Sequence, residues 1–95
     1  MFVMTVYSTT MCPPCAALKD WLRSEGIEFT DIPTKTLDEA GRKWLREKIL
    51  AVSRINHPTV PAVRLTVDGT EHWVSNHGES DVTEMIAELK KLLKR

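Results

Sequence analysis

The stretch that decides the fold is Phe2-Val3-Met4-Thr5-Val6-Tyr7-Ser8-Thr9-Thr10-Met11-Cys12-Pro13-Pro14-Cys15. Residues 2–7 are rich in strand formers and end in the polar Ser8-Thr9-Thr10 loop. Pro13 suits the first position of a helix, where a missing N–H costs nothing. Ala17, Leu18, Trp21 and Leu22 then recur at helical spacing, and Gly26 is a fitting stop. Residues 27–32 form a second short strand candidate. Strand, helix, strand in this order predicts a parallel pair joined by a right-handed crossover.

Further along, Thr36 and Glu39 have the spacing of a capping box. Leu37, Ala40, Trp44, Leu45, Ile49 and Val52 follow on one helical face. A loop through Asn56-His57-Pro58 leads to Thr59-Val60-Pro61. Residues 62–67 and 70–75 read as strands, and the Asp68-Gly69 pair between them is a two-residue hairpin signal. A last helix is expected to start near Ser80-Asp81, with Glu84 completing a second capping box. Val82, Met85, Ile86, Leu89 and Leu93 would be its buried stripe, with lysines at its end as the helix dipole prefers. The order βαβ-α-ββα predicts an α/β chain: a four-stranded mixed sheet flanked by three helices, its last two strands antiparallel.

Ninety-five residues suit a single domain spanning 1–95. Thirteen basic residues balance thirteen acidic ones, so the electrostatic signature of a nucleic-acid binder is missing. No apolar run approaches the roughly 20 residues of a membrane helix. Met1-Phe2-Val3-Met4 lacks a basic leader and reads as a strand rather than a signal peptide. These features lead to the expectation of a cytoplasmic, reducing compartment, where permanent disulfides are uncommon.

Cys12 and Cys15 are the only cysteines. Cys12 stands just before a helix whose first turn offers free N–H groups and the positive end of the dipole, which favours thiolate over thiol. Such a thiolate attacks a disulfide, and a second cysteine one turn along resolves the mixed disulfide. Two other readings stand beside redox chemistry. Half of a zinc site would need His57, His72 and His77 in an improvised arrangement, and two incidental buried cysteines would need no chemistry at all.

Val6 to Cys15, then Thr59-Val60-Pro61, then Gly78 with Asp81, resemble the glutaredoxin family. The resemblance implies a thioredoxin-like fold and a disulfide oxidoreductase with Cys12 as nucleophile and Cys15 as resolving thiol. It implies a cis peptide bond at Pro61, facing the cysteines and leaving the backbone of Val60 free to pair with a bound thiol peptide; the alternative is a trans proline opening an edge strand. It also implies that Gly78 and Asp81 hold the γ-glutamyl end of glutathione, against the alternative of a plain helix cap, with Ser80 part of the implied substrate surface. Thr10, Met11, Pro13, Pro14 and Thr59 complete the implied substrate surface. Tyr7 is either a substrate contact or an edge-of-core tyrosine.

Two departures bear on the electron source. Glutathione-using members carry a lysine where this chain has Thr9, and a basic residue where it has Pro58; Arg54 and Arg64 are candidate substitutes. The Ser-Thr-Thr-x-Cys stretch is similar to mycoredoxins, and His72-Trp73 to NrdH-type redoxins that feed ribonucleotide reductase. Trp73, on an edge strand, is a candidate partner surface, while Trp21 and Trp44 read as packing. The expected partners are disulfide-containing clients and, as electron source, mycothiol, glutathione or a flavin-dependent reductase of the thioredoxin reductase type. No resident cofactor and a monomeric state are expected. An iron–sulfur cluster held between two copies is the alternative from another class, which the Pro13-Pro14 dipeptide disfavours by stiffening and crowding the loop.

Overall fold

In the computed structural model, which describes residues 1–77 and 81–95, the first strand occupies a central place in the sheet. β1 (Phe2–Ser8) pairs in parallel with β2 (Thr30–Pro33) and antiparallel with β3 (Ala62–Val67). β3 continues through the Asp68-Gly69 turn into antiparallel β4 (Thr70–Ser75), giving the order β2-β1-β3-β4. Three helices accompany the sheet: α1 (Pro13–Ser24), α2 (Glu39–Val52) and α3 (Thr83–Leu93). The βαβ-α-ββα expectation and the parallel first pair therefore hold.

Alternation along the strands sorts the apolar side chains into two cores. On one face Met4 and Val6 of β1, Val63 and Leu65 of β3 and Val74 of β4 meet Leu18 and Leu22 of α1 and Met85 and Leu89 of α3. On the other face Tyr7 and Ala62 meet Leu45 and Ile49 of α2, with Ile32, Leu37, Trp44 and Trp73 around them. α2 covers only the end of this face near Tyr7. At the other end Val3 stays two-thirds exposed.

Local chemistry accounts for most boundaries. Gly26 adopts φ +66°, its N–H reaches Arg23 O at 3.1 Å, and Ile27 N–H reaches Leu22 O at 2.9 Å. That is the paired closure of a helix end by a left-handed glycine, and it sends Ile27 into the core. β2 thus begins at Thr30 rather than at Ile27. In the hairpin Asp68 and Gly69 have φ +49° and +84°, the two positive values that a type I′ turn requires.

Three local expectations are corrected. Thr36 does not cap α2: it lies in a 3₁₀ turn (Thr34–Thr36) and its hydroxyl donates to Pro33 O at 2.7 Å. Asp38 takes the role, accepting the Gly41 N–H at 2.7 Å, because the carboxylate sits one residue before the first helical turn. At α3 the helix starts at Thr83, Asp81 accepts the Thr83 N–H at 3.1 Å, and Glu84 turns outward to Arg54 instead of closing a box. Ala17, Ala40 and Val52, placed with the apolar residues that recur at helical spacing, are exposed, since a helix buries only the sector facing the sheet.

Candidate active site

β1 delivers the chain to the site. Ser8 is buried at its end, Thr9 and Thr10 are exposed, and Met11 follows with φ +56° and an almost fully exposed side chain. Cys12 is the N-cap of α1, and Pro13 and Pro14 fill the first two helical positions, where no N–H is needed by the helix. Cys12 and Cys15 are joined as a disulfide. Cys12 is half-buried, whereas Cys15 is 1% exposed. An incoming thiol therefore reaches Cys12 first, and the buried partner is placed to resolve. The Cys15 N–H donates to Cys12 Sγ at 3.3 Å. The Ala16 N–H instead donates to Cys12 O at 3.1 Å, so it does not serve the sulfur.

A shallow groove of about 410 Å³ surrounds the cysteines, lined by Thr9, Met11, Cys12, Pro13, Cys15, Ala16 and Lys19. Thr9 also borders a second groove of about 300 Å³, formed with Thr34, Arg42, Leu45, Arg46, Ile49, Pro58 and Val60. Thr9 is the residue that borders both. The Val60–Pro61 peptide is cis, and Pro61 leads straight into β3, whose Ala62 pairs with Tyr7. Register thus brings Thr59-Val60-Pro61 to the sheet end from which the cysteine loop departs. Among the described residues, the buried Thr59 hydroxyl has no hydrogen-bond partner.

Other assigned residues sit differently. Tyr7 is 4% exposed, stacked on Trp73 at 5.7 Å and edge-on to Trp44 at 6.3 Å, so its ring belongs to the second core and not to a substrate surface. Trp73, on edge strand β4, is partly buried: its Nε1–H donates to Glu71 at 2.8 Å and its ring meets Trp44 at 5.5 Å. Asp81 is exposed and occupied in the first turn before α3. Gly78 and Ser80 lie outside the described residues.

The proposed substitute cations are also engaged elsewhere. Arg54 pairs with Glu84 at 2.5 Å, and Arg64 pairs with Glu71 at 2.8 Å while lying over the Trp44 ring. Neither lines a groove by the cysteines. The cations that do are Lys19 in the first groove and Arg42 and Arg46 in the second. Sequence reasoning passed over all three. The available signal was spacing: Lys19 lies four residues beyond Cys15, and Arg42 and Arg46 are one turn apart beside the buried Leu45 and Ile49.

Among the described residues, two carboxylates are perturbed. Partial burial of Asp31 opposes its charge, but the Ser8 hydroxyl at 2.7 Å and Lys19 at 3.0 Å outweigh this and hold it below the ordinary value. Glu71 is lowered first by the Trp73 N–H and further by Arg64 and Lys48. Among the described residues, no three His, Cys, Asp or Glu side chains gather as they would around a metal ion. Nor is any described helix long and apolar enough to cross a membrane.

Comparison with known proteins agrees with this geometry. The glutaredoxin family model matches residues 4–73, more than half of the chain. None of the curated proteins matches. Among solved structures, the thioredoxin-like protein BC3987 superposes with a TM-score of 0.58 at 24% identity, over 94% of this chain and 97% of that one. The glutaredoxin grx-1 of Archaeoglobus fulgidus gives 0.59 at 23% identity, over 100% and 89% of the two chains. Glutaredoxin 1 of Francisella tularensis, complexed with cacodylate, gives 0.55 at 19% identity over the whole of both chains. These likenesses show the thioredoxin-like fold. With the family match covering most of β1, the cysteine pair, the cis-proline turn and most of β4, the chain belongs to the glutaredoxin family, and its redox pair is Cys12 and Cys15.

Proposed function

We propose that this protein reduces disulfides of client proteins, or mixed disulfides between proteins and low-molecular-weight thiols, by dithiol exchange. The observation that carries this reading is the Cys12–Cys15 bond at the first turn of α1, with Cys12 accessible and Cys15 buried. In the reduced protein the Cys12 thiolate attacks a client sulfur, a mixed disulfide forms, and one client sulfur leaves as thiolate and takes a proton from water. Cys15, losing its proton, attacks the Cys12 sulfur; the Cys12–Cys15 bond forms and the second client sulfur leaves. Two electrons pass to the client. The electrons are restored by a low-molecular-weight thiol, mycothiol or glutathione, or by a flavin-dependent reductase.

The surroundings favour a ligand that carries carboxylates. Thr9 and Pro58 leave two customary basic positions uncharged, but Arg42 and Arg46 border the second groove, which Thr9, Pro58 and Val60 also line. Offering the oxidised protein glutathione, mycothiol, or thioredoxin reductase with NADPH identifies the source by which one reduces it. Cys12→Ser abolishes every reduction, and Cys15→Ser accumulates a mixed disulfide with protein clients. Retention of full protein-disulfide reduction by Cys12→Ser defeats the reading.

A further inference from the structure

Among the residues bordering the cysteine groove, Lys19 alone carries a charge; Thr9, Met11, Pro13 and Ala16 are neutral. It lies on α1 four residues beyond Cys15, so both fall on one face of the helix. Side chains on a helix lean toward its N-terminus, which directs Lys19 back toward the turn that holds the sulfurs. Its own side chain is 20% exposed, and its Nζ is fixed 3.0 Å from Asp31 Oδ2. The other oxygen of Asp31 accepts the Ser8 hydroxyl at 2.7 Å. Ser8 is 2% exposed and stands at the end of β1, one residue before groove-lining Thr9. The three residues thus tie β1, β2 and α1 together behind the cysteine loop.

We propose that Lys19 and Asp31 are positioning residues that set the thiolate character of Cys12, the ammonium favouring the thiolate and the carboxylate moderating that effect. This rests on the dithiol exchange proposed above. Reduction of the Cys12–Cys15 bond takes two electrons from a thiol reductant and one proton, leaving a thiolate at Cys12 and a thiol at buried Cys15. Among the described lining residues the new negative charge then shares the groove with one cation, Lys19, itself paired with Asp31. Asp31 is available for this because it is held ionised: burial works against its charge, but Ser8 and Lys19 outweigh burial. The remaining charges near the pair stand one turn further along α1. Arg23 adds to the field on Asp31, but it is itself paired with Asp20 at 3.5 Å and lies over the Phe29 ring.

An ion pair serving stability alone and an ion pair tuning a thiolate make different predictions. If the pair only braces the fold, removing either member lowers the melting temperature and leaves the thiolate where it was. If it tunes the site, the two removals act with opposite sign. Lys19→Met is expected to raise the Cys12 pKa and make the protein a stronger reductant. Asp31→Asn is expected to lower the pKa and make the protein more oxidising, since stabilising the thiolate stabilises the reduced state. Each shift should be roughly 0.2–0.7 of a pKa unit, the size of interactions between partly exposed charges. Lys19→Arg should restore the wild-type value, and Lys19→Met with Asp31→Asn should fall between the single variants.

The pKa is read from the pH dependence of iodoacetamide alkylation of the reduced protein, and the potential from equilibration with a glutathione redox buffer. Alkylation needs no turnover, so it reports on the pair even if the client or electron source proposed above proves wrong. Shifts of the same sign in both single variants, or no shift in either, overturn the proposal.

Discussion

At the scale of single residues, Pro14 is the feature that sets this cysteine motif apart. Cys12 Sγ receives the Cys15 N–H at 3.3 Å, while the Ala16 N–H closes on the Cys12 carbonyl. Pro13 and Pro14 have no N–H to offer. Among the described residues the sulfur is therefore served by one backbone donor and the helix terminus. Restoring a donor with Pro14→Tyr should lower the Cys12 pKa, because hydrogen bonds to the charged form favour it. The same change should make the disulfide more oxidising, as the reduced state gains stability. Thiolate absorbance against pH and equilibration with a redox buffer check both; a rise in pKa would show that loop rigidity or desolvation governs this sulfur.

At the scale of elements, the caps and the hairpin turn separate near-equivalent local signals. Thr36 and Asp38 both precede α2, and only Asp38 accepts an N–H of the helix. Asp38→Ala is expected to cost about 0.5–2 kcal/mol in urea unfolding and Thr36→Ala clearly less. Gly69 gives a second, purely backbone test. A Cβ built there meets nothing within 4 Å, yet φ is +84°. Gly69→Ala should therefore destabilise by about 1–2 kcal/mol with no steric clash to relieve, and the β3–β4 register should survive. A loss near zero would mean that the turn relaxes to another type. The same scale explains how α2 serves the site: Leu45 and Ile49 anchor it over Tyr7 and Ala62, and Arg42 and Arg46 border the second groove from the same helix.

For the whole molecule, two depressed carboxylates link folding to pH. Asp31 and Glu71 are held below their ordinary values by partners that exist only in the folded chain. The unfolded state therefore binds more protons in the acid range, and stability rises with pH there. The contribution is fully present above the ordinary carboxylate pKa of about 4 and is lost as pH falls through the folded values. Urea midpoints measured from neutral pH downward should decline below about pH 4, and Asp31→Asn should flatten part of that decline. An unchanged slope in the variant would place the acid sensitivity elsewhere.

The sequence by itself determined the order of elements and the position of the cysteine pair. The signals involved are local: Pro13 at a helix start, Gly26 at a helix stop, Asp68-Gly69 between alternating runs, and residue types repeating at two or about 3.6. Each depends on the conformations open to a few neighbouring residues, so each is legible without the rest of the chain. The identity of the cap before α2 was less legible, because Thr36 and Asp38 compete within one turn and the choice depends on where the helix begins. Only the tertiary structure decided which charges meet the cysteines. Arg54 and Arg64 go to Glu84 and Glu71, whereas Lys19, Arg42 and Arg46 border the grooves. It likewise stacked Tyr7 and Trp73 on each other. Those outcomes depend on strand register and helix placement across distant parts of the chain, Ser8 to Asp31 or Tyr7 to Trp73, and no local pattern encodes such a distance.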